Sequence, residues 1–101
     1  MTKRSKGDGT RALIITQGLK LLKRGGLARI TTAELMHGTG LSGPVIFYHY
    51  QTLDKLRERV AFAAIKRDDK VAVARLIVDR HKSVREFTAA QRAEYLATLA
   101  D

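Results

Sequence analysis

Signals for helix starts and a tight turn crowd into the segment from residue 31 to residue 52. Three residues that favour the N-cap of a helix lie ten or eleven positions apart: Thr31, Ser42 and Thr52. Glu34 completes the spacing of a capping box with the first of them, and Pro44 suits the first turn of the next helix. Gly40 permits the left-handed backbone that a tight turn requires. The segment therefore predicts two short helices, 31–38 and 42–50, joined by a turn, and a further helix after residue 52.

The residues before this segment also have a helical pattern. Apolar side chains recur at steps of three and four from residue 11 to residue 24, and Gly25 with Gly26 provides the stop. Residues 1–10 have no apolar side chain apart from Met1, so we expect a flexible basic arm there. The first helix is expected to begin where that arm ends.

Beyond residue 44 the chain contains neither proline nor glycine. We expect the fourth helix to run into the polar cluster at 66–70 and a fifth helix over 69–82, although residues 71–78 are also compatible with a β-strand. A capping box at Thr88 and Gln91 predicts a last helix, to about residue 100. The sequence therefore predicts an all-α fold.

The charge of the chain is lopsided. Its 19 Lys and Arg against 10 Asp and Glu give a net charge of +9, and residues 1–59 have 11 basic and 4 acidic side chains, against 8 and 6 in residues 60–101. A basic half joined to a nearly neutral half favours a polyanion-binding unit followed by a partner-binding unit. No apolar run approaches the roughly 20 residues of a membrane span. The basic N-terminus also lacks the apolar core of a signal peptide, so we expect a cytoplasmic protein.

Several patterns that suggest a cofactor, a metal or catalysis have a simpler explanation. Residues 38–43 spell GxGxxG, but that dinucleotide motif needs a preceding strand, and a capped helix precedes it here. No two of the three histidines are four residues apart, and the chain has no cysteine. The basic segment 11–24 lacks the Trp or Phe anchors of a membrane-surface helix. We therefore expect no enzyme activity, no cofactor, no metal and no membrane partner.

The two short helices instead have the form of a helix-turn-helix, whose second helix fits the major groove of DNA. That second helix contains a run of rings that cannot all face one core: Phe47, Tyr48, His49 and Tyr50. Helical geometry places Ile46 and Tyr50 on one side, and Val45, Tyr48 and His49 on another. A DNA surface accounts for the exposed set.

With these residues, from Arg11 to about residue 60, the chain resembles the N-terminal DNA-binding domain of TetR-type transcriptional repressors. Seven residues fall in the register of that family's first helix: Arg11, Ile14, Ile15, Gly18, Leu21, Leu22 and Gly26. Five match its second helix and turn: Thr31, Leu35, Gly40, Leu41 and Ser42. Six match its Leu-Tyr-x-His-Phe-x-x-Lys-Glu-x-Leu signature: Ile46, Phe47, His49, Tyr50, Asp54 and Leu56. The resemblance covers roughly half of the chain without a gap.

The resemblance implies which residues would touch DNA. Five are expected to contact bases: Ala33, Gly43, Pro44, Val45 and Tyr48. Seven are expected to contact phosphates: Thr31, Thr32, Ser42, Phe47, His49, Thr52 and Lys55. Arms that precede such domains often enter the minor groove, which assigns that contact to three basic residues: Lys3, Arg4 and Lys6.

Two departures from the family's pattern concern phosphate contacts. Phe47 stands where the family has Tyr, so a hydroxyl that usually reaches a phosphate is absent. Leu53 replaces a usually basic residue that clamps phosphate, and Thr52 or Lys55 are the candidates to substitute for it.

Two further departures concern the reading of bases. Gly43 and Ala33 occupy positions where relatives often have base-reading side chains. Direct readout is therefore expected to rest on Val45 and Tyr48, through contacts with thymine methyl groups, together with recognition of DNA shape.

The sequence thus predicts three regions. They are a basic arm at 1–10, a TetR-like helix-turn-helix head with its connecting helix at 11–67, and a dimerisation region of one or two short helices at 68–101. Apolar residues of the last region are expected to form the dimer interface: Val71, Ile77, Val78, Leu96 and Leu99.

The predicted function is sequence-specific binding of double-stranded DNA by a homodimeric transcriptional repressor, associated with the bacterial nucleoid and acting on an inverted-repeat operator. Residues 68–101 are far fewer than the effector-binding domain of the family has, so no small-molecule effector is expected. The alternative is a protein-interaction adaptor or antirepressor that uses the same helices.

Overall fold

Six α-helices form the protein in a computed structural model that describes residues 6–100, with side chains from residue 9 onward. In chain order they are α1 (Lys6–Gly25), α2 (Thr32–Thr39), α3 (Gly43–Tyr50), α4 (Leu53–Lys66), α5 (Lys70–Val78) and α6 (Ala89–Leu96). Single 3-10 turns follow α1, α5 and α6, at Leu27–Arg29, Lys82–Val84 and Ala97–Leu99. The described residues contain no strand, so the all-α prediction is confirmed, and the segment with the strand alternative is helix α5.

The first helix begins at Lys6, five residues before the position that the sequence predicted. Residues 6–10, assigned to the flexible arm, are therefore helical. The helix start was expected at residue 11 because residues 1–10 lack apolar side chains apart from Met1, and Gly7 and Gly9 each make helix less favourable by about 1 kcal/mol. Extending an existing helix adds one hydrogen bond per residue and avoids the cost of a new nucleus.

The five helices from α1 through α5 share one hydrophobic core. Its fully buried members come from each of these helices and from the turn after α1, and they include Ile14, Leu22, Ile30, Leu35, Ile46, Leu56, Val73 and Leu76. The axes of α1 and α4 come close together at Gly18, where a Cβ atom would lie only 2.5 Å from Cγ2 of Val60. The helix-turn-helix pair α2–α3 packs against these two helices.

Helix α5 belongs to this core and does not form a separate layer behind it. Four of its residues are buried: Ala72, Val73, Ala74 and Leu76. Val71 and Ile77, expected in a dimer interface, are half-buried, and Ile77 packs against the core. Asp69 is the N-cap of α5, accepts a hydrogen bond from the Ala72 amide, and lies 3.2 Å from Lys23 of α1. The predicted boundary at residue 67 therefore separates helices that share one core.

Two helix ends lack the glycine that usually occupies the left-handed position. Asp68 after α4 has φ 50° and Arg80 after α5 has φ 55°. In each case the amide of the next residue donates a hydrogen bond back to the helix. After α4 the Asp69 amide donates to the Ala64 carbonyl, and after α5 the His81 amide donates to the Leu76 carbonyl. These ends explain how a stretch without glycine or proline still turns, and why α5 ends at residue 78 and not at 82.

The last helix lies on the surface of α5. The predicted capping box at Thr88 and Gln91 is formed in both directions. Tyr95 donates a hydrogen bond of 2.6 Å to Asp68, and this bond lowers the pKa of that carboxyl and raises the pKa of the tyrosine. None of the residues of α6 is buried. Among the described residues, no helix combines the length and apolarity needed to cross a membrane.

Candidate nucleic-acid interface

Helix α3 has one buried face and one exposed face, as its sequence predicted. Ile46 is fully buried, and the buried Tyr50 donates a 3.4 Å hydrogen bond from its hydroxyl to the Arg11 carbonyl of α1. On the opposite face the Tyr48 side chain is 80% exposed, with Val45 40% exposed beside it and Pro44 exposed one turn before. Three of the five residues expected to contact bases therefore share an outward face on a helix that is anchored from behind.

The turn between α2 and α3 is held by its own hydrogen bonds. The Thr39 hydroxyl donates to the Leu35 carbonyl at 2.7 Å and accepts from the Leu41 amide at 3.1 Å. Gly40 adopts φ 74°, a left-handed conformation that favours glycine. These bonds fix the path of the chain from α2 into α3, and so fix how α3 projects.

Three hydroxyl residues expected to contact phosphates are N-caps. Thr31 accepts from the Glu34 amide at 3.2 Å, Ser42 from the Val45 amide at 3.4 Å, and Thr52 from the Lys55 amide at 3.1 Å. A hydroxyl oxygen that accepts such a bond keeps its own hydrogen for another acceptor. Between Thr31 and Glu34 the return bond of the predicted capping box is not formed. Each cap thus combines a hydroxyl donor with the amide-rich, partly positive end of a helix.

Helix α2 contributes a small and partly apolar surface. Ala33 is exposed and Thr32 is half-exposed, as a contact with DNA requires. Met36 is 40% exposed, while its neighbour Leu35 is fully buried. Gly43 at the start of α3 faces α2, since a Cβ there would lie 3.8 Å from the sulfur of Met36. Gly43 has no side chain, so it can offer only its backbone to a groove.

Two ring residues of α3 differ in what they can offer a phosphate. Phe47 is half-buried and packs against the hydrophobic core. Because its ring has no hydrogen-bond donor, we assign Phe47 to packing and do not carry it into the proposed phosphate contacts. His49 meets Tyr48 edge-on at 5.2 Å between ring centres, and its Nδ1 is buried with no hydrogen-bond partner. Only Nε2 of His49 is therefore a candidate to reach an external oxygen.

At the start of α4, Leu53 occupies the position where the TetR-type family usually has a basic residue that clamps phosphate. Leu53 is half-buried and packs against the core, so it cannot act as a phosphate clamp. Thr52 and Lys55 are both exposed beside it. Gln51, between α3 and this helix start, has φ 58° and ψ −55°, a positive-φ conformation that is strained for a residue with a side chain.

A basic cavity adjoins α3 that sequence reasoning did not single out. Its volume is about 570 Å3, and its lining comes from α1, α3 and α4: Arg11, His49, Tyr50, Gln51, Lys55, Glu58 and Arg59. Burial raises the pKa of Tyr50, and the positive charges of Arg11 and Arg59 oppose that shift. The sequence signals for these two arginines were the excess of charge in the first 59 residues and, for Arg11, its place in the register of the family's first helix.

The expected minor-groove contacts are not placed. Lys3, Arg4 and the side chain of Lys6 lie outside the described residues. The part of the chain with described side chains holds no group of three or more His, Cys, Asp or Glu arranged to bind a metal. No protein-family model, curated protein or solved structure matches this chain.

Proposed function

We propose that this protein is a sequence-specific double-stranded DNA-binding protein and a transcriptional repressor. The observation that carries the proposal is Tyr48: its ring is 80% exposed on a helix whose other face is fixed in the core by Ile46 and Tyr50. Aromatic side chains usually stabilise a protein by burying their rings, and the exposed ring of Tyr48 makes no such contribution to this fold. DNA in the major groove would cover that ring and the exposed Val45.

The surroundings of α3 supply what a phosphate backbone requires. The N-caps Thr31, Ser42 and Thr52 provide hydroxyl donors at helix N-termini, and Lys55 is exposed in the first turn of α4. The net charge of +9 would draw the chain to DNA over longer distances. As in the TetR-type head that the sequence resembles, phosphate contacts would set the register and α3 would read bases.

We further propose that the protein acts as a homodimer on an inverted-repeat operator. Two large apolar side chains in residues 68–101 remain exposed, Val78 at 56% and Leu96 at 37%. A second copy would cover this surface, and two heads would then read half-sites about one helical turn apart, ~10 base pairs, or a multiple of it. None of the residues of α6 is buried, so α6 lies on α5 without an enclosed interior between them, and we propose no small-molecule effector. The repressor would then respond to its own concentration, in the bacterial cytoplasm at the nucleoid.

The proposal is tested by selection from a pool of random duplexes, followed by titration of an enriched duplex at increasing salt. We expect enrichment of an inverted repeat. We also expect a linear fall of log K with log salt, at a slope of about −0.9 per neutralised phosphate. If no sequence is enriched and binding is weak even at low salt, the proposal is wrong. That result would favour the alternative, an adaptor that uses the same helices to bind a protein.

A further inference from the structure

A second exposed aromatic ring lies on α4, away from the helix-turn-helix. Phe62 is 61% exposed, whereas the inner face of the same helix is buried through Leu56, Val60, Ala61 and Ala64. An aromatic ring contributes a large apolar area when it is buried at an interface, so an exposed phenylalanine marks a candidate contact.

Phe62 is part of a continuous apolar strip and not an isolated residue. It lines an open groove of about 540 Å3 between α1 and α4, together with Ala63 of its own helix and Ala12 and Ile15 of α1. Ile15 and Ala63 are half-buried and pack against the core, so they form a firm floor. A groove between two helices with an apolar floor suits the apolar face of a third helix. We call this surface the α1–α4 groove.

The rim of the α1–α4 groove is strongly basic. Four cationic side chains line it, Arg11, Arg59, Lys66 and Arg67, and no acidic side chain does so in the described part of the chain. A second copy of this chain would place the same four cations against them, because a two-fold interface brings each patch onto its own equivalent. That repulsion disfavours a second copy, and the same charges favour an acidic occupant.

We propose that the α1–α4 groove binds an acidic amphipathic helix of a partner protein. The apolar face of that helix would cover Phe62, Ile15 and Ala63, and its carboxylates would meet the basic rim. Phe62 would be the anchor residue, because aromatic residues in the centre of an interface contribute most to affinity. The proposal does not rest on DNA binding by α3, and it gives this protein a second surface with a different partner.

The probe is a designed helical peptide of about five turns with leucines along one face and glutamates elsewhere. A control peptide has the same composition, with its leucines scattered around the helix. We expect the amphipathic peptide to bind about tenfold more tightly than the control and to shift the amide resonances of Ile15 and Ala63. Equal binding of both peptides would show attraction by charge alone and would overturn the proposal.

Protein variants supply the second arm. Phe62→Ser is expected to weaken the amphipathic peptide by about tenfold or more. Leu13→Ser, which removes an exposed apolar side chain of α1 that does not line the groove, is the matched control and should leave the affinity unchanged. Equal effects of the two substitutions would overturn the proposal. Lys66→Glu changes only an exposed rim charge, so it provides an independent loss of affinity if Phe62→Ser alters folding.

Two further measurements separate this inference from other outcomes. Tyr48→Ala should leave peptide binding intact, and Phe62→Ser should leave binding to an enriched duplex intact, so failure of one proposal is distinguishable from failure of the other. Sedimentation then compares self-association of the unmodified protein and of Phe62→Ser. A dimer that is lost in Phe62→Ser would identify a second copy as the occupant, and the acidic-helix proposal would be wrong.

Discussion

Tyr48→Ala is expected to leave folding intact and to remove discrimination between DNA sequences. The Tyr48 ring is 80% exposed, and its described ring contact is the edge-on approach to His49. Exposed substitutions of this kind usually change the free energy of unfolding by no more than about 0.5 kcal/mol. Loss of one base contact lowers discrimination by about 1–3 kcal/mol, and a two-fold dimer loses it twice. The ratio of affinities for enriched and unrelated duplexes should therefore fall about 30-fold or more, since 1.36 kcal/mol is a factor of ten.

The control for this change is two residues away on the buried face of the same helix. Tyr50→Ala removes a core ring that is 9% exposed and a weak hydrogen bond to the Arg11 carbonyl, and it should lower the free energy of unfolding by about 3–5 kcal/mol. Thermal unfolding gives the stability of each variant, and fluorescence anisotropy with the two duplexes gives the ratio. If Tyr48→Ala destabilises the fold as much as Tyr50→Ala, Tyr48 is a packing residue and the prediction is wrong. If the ratio of affinities does not change, Tyr48 does not read bases.

Three further predictions concern stability. Gly18→Ala should lower the free energy of unfolding although alanine gains about 1 kcal/mol in helix propensity, because the new methyl group would clash with Val60. In a double-mutant cycle, Val60→Ala should restore the stability that Gly18→Ala loses. Arg80→Gly should raise the free energy of unfolding by up to about 1 kcal/mol, and the melting temperature with it, because glycine is unstrained at φ 55°. A lower melting temperature would contradict this. Burial, with Lys82 nearby, holds the pKa of His81 below its ordinary value of 6.5, against smaller opposing effects of Glu58 and Asp79. Folding therefore favours the neutral form of His81, so its contribution to stability should be complete above pH 6.5 and be lost as the pH falls from 6.5 through the lower pKa of the folded state. His81→Asn should flatten this pH dependence in denaturant titrations.

The helix starts of this chain could be predicted because their signals are local. Thr31, Ser42, Thr52 and Thr88 all serve as N-caps, and an N-cap depends on a side chain and an amide three residues later. The two faces of α3 were also predictable, because the buried pair Ile46 and Tyr50 is set by helical spacing.

Features that depend on packing between distant segments were not predictable from one sequence. Met36 and Leu35 are adjacent apolar residues of one short helix, and only the position of α1 decides which of them is buried. The exposure of Phe62 likewise depends on where α1 crosses α4. The end of α5 at Val78 requires an arginine in a left-handed conformation, which no local signal marks. The inclusion of α5 in the shared core follows from contacts with α1 and α4, far away in sequence.

The most direct test of the central claim is a map of the DNA-bound surface by amide chemical shifts, recorded while an enriched duplex is titrated into the protein. We expect the largest changes at Val45, Tyr48 and the caps Ser42 and Thr52, with little change along α6. Two other basic surfaces compete for DNA on charge alone, the α1–α4 groove and the cluster of Arg80, Lys82, Arg85 and Arg92 beside α5. Changes confined to either of these, with Tyr48 unaffected, would contradict the claim that α3 reads DNA.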